Sequence, residues 1–186
     1  HDVVRKVVAL AGTPIALQSS GHAEAGWSAY QRGDVATAAT ELGAAAARGN
    51  APLWVHYALG FAELAQGRPE RAVRAWEQVR AVAPEFEEAY FDLADAYLQL
   101  QDASSALAVL RQAEKRWPSD VEVYNALGVV QIGRGALDEA VETFEKAVKA
   151  APGDSLGYFN LGRAYSMRYF KSQRYSPTTT TWVANT

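Results

Sequence analysis

The chain contains no cysteine. Disulfides, thiol catalysis and cysteine-ligated metals are therefore excluded, but a secreted or periplasmic setting is not, since proteins there need not carry disulfides. Histidine is scarce, with three residues: the terminal His1, His22 near a helix start, and His56 in a packing position. No nucleophile elbow and no Gly-rich strand-to-helix phosphate loop accompanies them, so no enzymatic activity, cofactor or metal site is expected. An excess of charge is lacking too. Eighteen Lys and Arg against 21 Asp and Glu leave a net charge of -3, which gives no reason to expect a nucleic-acid partner. No apolar run reaches the roughly 18 to 20 residues that span a bilayer, so no direct membrane insertion is expected. Cytoplasmic and periplasmic settings both stay open. Segments of strand-like alternation are few.

What the 186 residues do contain is alanine-rich, 49% hydrophobic sequence with helical patterning. Its most regular stretch is Leu127 to Pro152, which reads as two short amphipathic helices meeting at Gly133-Arg134-Gly135. Such a hairpin cannot bury its apolar face alone and calls for neighbours of its own kind. They recur every 34 residues. Leu59-Gly60, Leu93-Ala94, Leu127-Gly128 and Leu161-Gly162 are in phase, with Ala25-Gly26 as a weaker first member. The turn position holds Gly33, Gly67, Gln101 and Gly135. The second helix carries a small residue at Ala38, Ala72, Ala106 and Ala140. A large one stands four places on, at Leu42, Trp76, Leu110 and Phe144. After it come Ala45, Val79, Ala113 and Ala147, and the terminators are Asn50, Pro84, Pro118 and Pro152.

Taken in order, residues 1–18 carry an apolar segment, Val3 to Leu10, interrupted by Arg5-Lys6. Basic residues, a short apolar run and Ala23-Glu24-Ala25 have some look of a signal peptide. The repeat phase offers a better reading. Val4, Val8 and Ala11 fall where Ala38, Leu42 and Ala45 fall one repeat later, so the segment reads as a capping helix or a degenerate half-repeat, ended by Gly12-Thr13-Pro14. Repeats follow at 19–52, 53–86, 87–120 and 121–154, with a partial fifth at 155–170 whose second helix is missing. Asp120 reads as an N-cap. At Gln101 a left-handed turn is harder to form than with glycine. Residues 171–186 form a Thr-rich tail, either disordered or folded back through Trp182-Val183 as an end cap.

These in-phase residues resemble the tetratricopeptide repeat family, whose pattern is a 34-residue helix-turn-helix with small residues at its eighth and twentieth positions and proline near position 32. The resemblance covers residues 19–170 and departs from the pattern at Asn50, His56, Gln101 and the truncated last unit. It implies an all-α, right-handed superhelix (an α-solenoid) whose first helices line a concave groove that binds peptides or protein surfaces. In such an array the inner stripe takes Trp27 and Tyr30, then Trp54, Tyr57, Phe61 and Leu64. Glu88, Phe91, Asp92, Asp95 and Leu98 follow in the third repeat. Glu122, Asn125, Val129 and Ile132 follow in the fourth, and Phe159, Asn160 and Arg163 in the fifth. Clustered aromatics with a few polar groups have the composition of a recognition surface.

Other readings compete. The aromatics could be ordinary packing between helices, although Leu59, Leu93, Leu127 and Leu161 already supply a core stripe. The groove could instead be filled by the N-terminal helix, the tail or a second copy, making the chain a self-associating structural module. Glu88, Asp92 and Asp95, about one turn apart, with Glu122 in phase, are either a solvated helix face or a patch that receives a partner's Lys or Arg. Capture of a free carboxylate does not fit. Asn125, Asn160 and Arg163 are present, but repeats two to four offer no cation on that face, and Glu88 and Glu122 would repel an acid. The expected partner is a protein or peptide segment that is apolar to slightly basic.

Overall fold

The computed structural model describes residues 2–12 and 21–174, and every regular element among them is an α-helix. They are α1 (Asp2–Ala11), α2 (His22–Gln31), α3 (Val35–Ala46), α4 (Leu53–Ala65), α5 (Pro69–Val82), α6 (Glu88–Gln99), α7 (Ala103–Arg116), α8 (Val121–Gly133), α9 (Leu137–Ala150) and α10 (Ser155–Arg174). The chain divides into two compact units, residues 1–106 and 107–186. In the first, α2 packs on α3, α3 on α4, α4 on α5 and α5 on α6. In the second, α8 packs on α9 and α9 on α10.

Hairpin formation follows from local chemistry. The turn residues Gly33, Gly67 and Gly135 have φ of 82°, 71° and 73°, a conformation nearly free of strain only for glycine. Gln101 takes the same turn at φ 58°, so the fold imposes this backbone even where the sequence resists it. Helix starts are held by side chains. Asp34 accepts from the Thr37 amide, Asp102 from that of Ser105, and Asp120 from those of Glu122 and Val123. Pro69 opens α5, where its missing N–H has no role. A tyrosine links each of two repeats to its preceding loop in register, Tyr90 donating to the Pro84 carbonyl and Tyr124 to that of Pro118.

Glycines in the first helices set how closely the partner helix approaches. A Cβ on Gly26 would stand 2.7 Å from Leu42, on Gly60 2.1 Å from Trp76, and on Gly128 2.5 Å from Phe144. Leu42, Trp76 and Phe144 are buried to within 1% of full enclosure, so in these three repeats the large residue fills the gap that the glycine leaves. At Gly162 a Cβ would meet nothing within 4 Å. Its repeat offers α10 alone among the described residues, and α10 continues past the expected end at Phe170 to Arg174. Leu156, Tyr158, Tyr169 and Phe170 on it are exposed. The tail from residue 175 onward, with Trp182, lies outside the described residues.

The N-terminal helix departs from the repeat phase at one of three positions. The phase points Val4, Val8 and Ala11 inward; Val4 and Ala11 are half-buried, but Val8 is exposed and the enclosed residue of α1 is Val7. Val3 and Leu10, half-buried, share that side. The helix packs against α4.

Candidate protein-binding face

In the first compact unit the inner stripe of α2, α4 and α6 is built from aromatic rings around one carboxylate. Trp27 stacks on Tyr30, one turn away, at 5.9 Å and meets the edge of Trp54 at 6.2 Å. Tyr57 is flanked edge-on by Phe61 and Phe86, each at 5.0 Å, and Phe61 meets Trp76 at 4.8 Å. Trp76 comes from the second helix of the same hairpin and donates its indole N–H to the Tyr57 carbonyl. These rings are enclosed. Trp54 is 1% exposed, Tyr57 0% and Phe61 9%, with Trp27 buried and Tyr30, Leu64 and Phe91 half-buried. The aromatic set is thus not an open surface in this state, and helix-pair packing against Trp76 and Phe86 accounts for part of that enclosure.

The N-terminal helix adds to it at Phe61 and Asp92. Asp92, 7% exposed, accepts hydrogen bonds on its two oxygens from different elements, Tyr57 on α4 and Lys6 on α1. The Lys6 ammonium stands 3.0 Å from that carboxylate and 5.9 Å from the centre of the Phe61 ring, where an ammonium is attracted to the π face. Lys6 also reaches Asp2 on its own helix at 3.5 Å. Burial pushes the Asp92 carboxyl up, against the lowering by Tyr57 and Lys6. Burial opposes the charge on Lys6, yet Asp92 and then Asp2 hold its affinity for the proton above the ordinary lysine value. Tyr57 is driven far above the usual phenol range by burial, then by the negative charge of Asp92, so it serves only as a donor. Glu88 is half-buried, and Asp95 and Leu98 are exposed.

The second compact unit places its stripe residues more sparsely. Asn160, buried, donates to the side-chain oxygen of Asn125 at 3.2 Å, tying α10 to α8. Glu122, Val129, Phe159 and Arg163 are exposed, and Ile132 is buried in a cluster with Leu137, Val141 and Phe144. Of the four leucines expected in the core, Leu93 and Leu127 are fully buried while Leu59 and Leu161 are half-buried. Burial also lowers the pKa of His56. Two residues that sequence reasoning did not assign to the stripe complete it, Lys6 and Phe86. A signal for Lys6 was present, namely one lysine on an apolar helix in a chain whose α6 stripe carries Glu88, Asp92 and Asp95.

Among the described residues, no group of three or more His, Cys, Asp or Glu is placed to hold a metal ion. No described helix is long and apolar enough to cross a membrane.

The family model for the tetratricopeptide repeat matches residues 57–111 and 91–155, together more than half of the chain. A curated relative, the chloroplastic tetratricopeptide repeat domain-containing protein PYG7 of Arabidopsis thaliana, is 37% identical over 82 residues. That match takes in 42% of this chain and 27% of the relative, so the chain spans about a quarter of that protein's length. Among solved structures, one of the MamA protein superposes with a TM-score of 0.69 at 22% identity, covering 82% of this chain and 83% of that one. MamA from Desulfovibrio magneticus RS-1, residue 41 to its end, gives 0.65 at 23% identity, covering 79% and 83%. At such identities these structures speak for the fold. Helix pairs in a 34-residue phase, glycine against a large residue in three of the hairpins, and the family match agree: the chain belongs to the tetratricopeptide repeat family.

Proposed function

We propose that this chain binds a segment of another protein on the inner face of α4 and α6, and that the segment is apolar and slightly basic. The observation that carries this reading is the socket around Asp92. A carboxylate buried to this degree is costly unless a cation meets it. Its cation comes from Lys6, on an element outside the repeat hairpins. Apolar surface for a bound helix is supplied by Phe61 and Phe91, with Leu64 and Leu98 at the C-terminal ends of the two inner helices. Glu88 and Asp95 set the sign of the surrounding potential, favouring a basic partner and disfavouring an acidic tail. The stripe of the second compact unit, with Glu122, Asn125, Val129, Phe159 and Arg163, offers further contact positions.

A photo-crosslinking residue placed at Leu98, on the inner stripe, is expected to capture one defined partner segment, identified by peptide mapping. The same residue at Val82, 66% exposed on α5, should not capture it. A synthetic peptide of that segment should then bind saturably and lose binding on Asp92→Lys. Equal capture at both positions, or peptide binding indifferent to Asp92→Lys, removes the reading.

A second reading, a structural module whose groove is occupied by its own terminus or by another copy, is favoured by the seat of α1 itself. Sedimentation over a concentration series separates its two forms. A monomer at all concentrations excludes filling by another copy.

A further inference from the structure

We infer that α1 is a displaceable internal ligand of the first compact unit, and that the external partner is an amphipathic helix whose lysine replaces Lys6 at Asp92. This deepens the proposed function and rests on it.

The footprint of α1 is small. Of its ten residues only Val7 is buried, against four in α2 and eight in α4. Lys6 bonds to Asp92 while its side chain retains 16% exposure. A helix that encloses one side chain and only half-buries Val3, Val4, Leu10 and Ala11 has a modest intrinsic affinity. Its covalent place in the chain makes its docking intramolecular, which favours it over a free segment of equal affinity.

The same geometry defines what can take its place. Leaving Asp92 enclosed without a cation is unfavourable, so an incoming segment must bring its own ammonium to this point before α1 can leave at low cost. On α1 the ammonium is followed at once by a β-branched residue, Val7, with Val3 and Leu10 completing the stripe at four before and three after it. A competing helix therefore carries an apolar residue at three before, one after and four after its lysine. An anionic segment is rejected by Asp92, Asp95 and Glu88 together. Binding is thereby coupled to release of the N-terminal helix, which frees Val3, Val7 and Leu10.

The probe for the test is a labelled peptide of residues 2–12, titrated into the full chain. Because the resident helix competes intramolecularly for the same seat, it should weaken external binding about tenfold. The Lys6→Glu chain, in which a carboxylate would face Asp92, is expected to bind the peptide about tenfold more tightly than wild type. The peptide carrying its own Lys→Glu change should not bind. In the wild-type chain, excess peptide should accelerate hydrogen exchange at the amides of residues 3–11, a readout that still decides the matter if Lys6→Glu disturbs the fold. Equal affinity in both chains, with exchange of α1 unaffected, overturns the inference. So does a dimer at the concentrations where α1 is protected, because the occupant is then the helix of a second copy. If the segment captured at Leu98 binds with the same affinity whether or not Lys6 is replaced, the binding function stands and the internal ligand falls. Failure of crosslinking and peptide binding alike takes the functional reading down with it.

Discussion

Replacing Gly60 with alanine tests the packing logic that holds the inner face in place. Gly60 lies in the middle of α4, where alanine alone would favour the helix by about 1 kcal/mol. The environment opposes it. The added Cβ would stand 2.1 Å from Nε1 and 2.4 Å from Cε2 of Trp76, a separation that real contacts do not tolerate. The ring cannot swing aside. It is 1% exposed, lies 4.8 Å from Phe61, and is fixed by its 3.0 Å bond to the Tyr57 carbonyl. Overpacking of this kind costs about 1–3 kcal/mol. Losing the indole bond while keeping its N–H buried adds about 1–3 kcal/mol. The net loss should be about 3 kcal/mol once the gain in helix propensity is subtracted. Gly162 is the matched control. It occupies the same repeat position with nothing within 4 Å, so Gly162→Ala should gain roughly 1 kcal/mol. Because repeat arrays need not unfold in one step, the assay should be native-state hydrogen exchange resolved by helix, with urea titration followed by circular dichroism as a check. Opening free energies of α4 and α5 should fall in the first variant, and those of α10 should rise in the second. A Gly60→Ala protein as stable as wild type, or a destabilised Gly162→Ala, would refute the account of close approach.

Other consequences are more local. Gln101 holds a left-handed turn at φ 58°, so Gln101→Gly should raise stability by about 1 kcal/mol in a urea titration. Tyr90→Phe removes the 2.9 Å bond to the Pro84 carbonyl and should cost about 1 kcal/mol, read as lost exchange protection at the start of α6. The Asp34 and Asp102 carboxyls are held below the ordinary value of 3.8, the first by its bond with Thr37 and the second by its bond with Ser105. Groups depressed in the folded state stabilise it above their unfolded pKa and lose that contribution as pH falls through the folded value. The melting temperature should therefore decline from about pH 5 downward through the range below 4, and more shallowly in the Asp34→Asn, Asp102→Asn protein.

The repeat was legible because its causes are local and recur. A small residue in one helix and a large one sixteen places later allow two helices to touch, and Gly26 with Leu42, Gly60 with Trp76 and Gly128 with Phe144 record that in the sequence. The turn at residue 101 was legible for the same reason, even without its glycine, since three other repeats specify the backbone that Gln101 adopts. Asp120 was legible as a cap because its bonds reach only two and three residues ahead. Periodicity fixes which residues share a face, and Trp54, Tyr57 and Phe61 do share one. It does not fix what lies over that face. A stripe read as open to a partner, to packing or to the chain's own N-terminal helix is enclosed here, Trp54 against Trp27, Tyr57 against Phe86, and Phe61 against Trp76 with Lys6 over its ring.

The acidic stripe shows why that second layer escapes a period-based reading. Glu88, Asp92 and Asp95 are equivalent by spacing, one turn apart on α6, and a periodic reading assigns them one environment. The structure gives them three. Asp92 is buried between Tyr57 and Lys6, Glu88 is half-buried, and Asp95 is exposed. What separates them is a pair of contacts made across 35 and 86 residues, from Tyr57 and from Lys6. The phase turns Val4, Val8 and Ala11 inward, and Val4 and Ala11 are half-buried while Val8 is exposed and Val7 takes the enclosed place. The apolar side of α1 and the bond from Lys6 to Asp92 agree on one orientation, with Lys6 next to the buried Val7. A helix placed in this way is held by the same interaction through which a partner can compete for its seat.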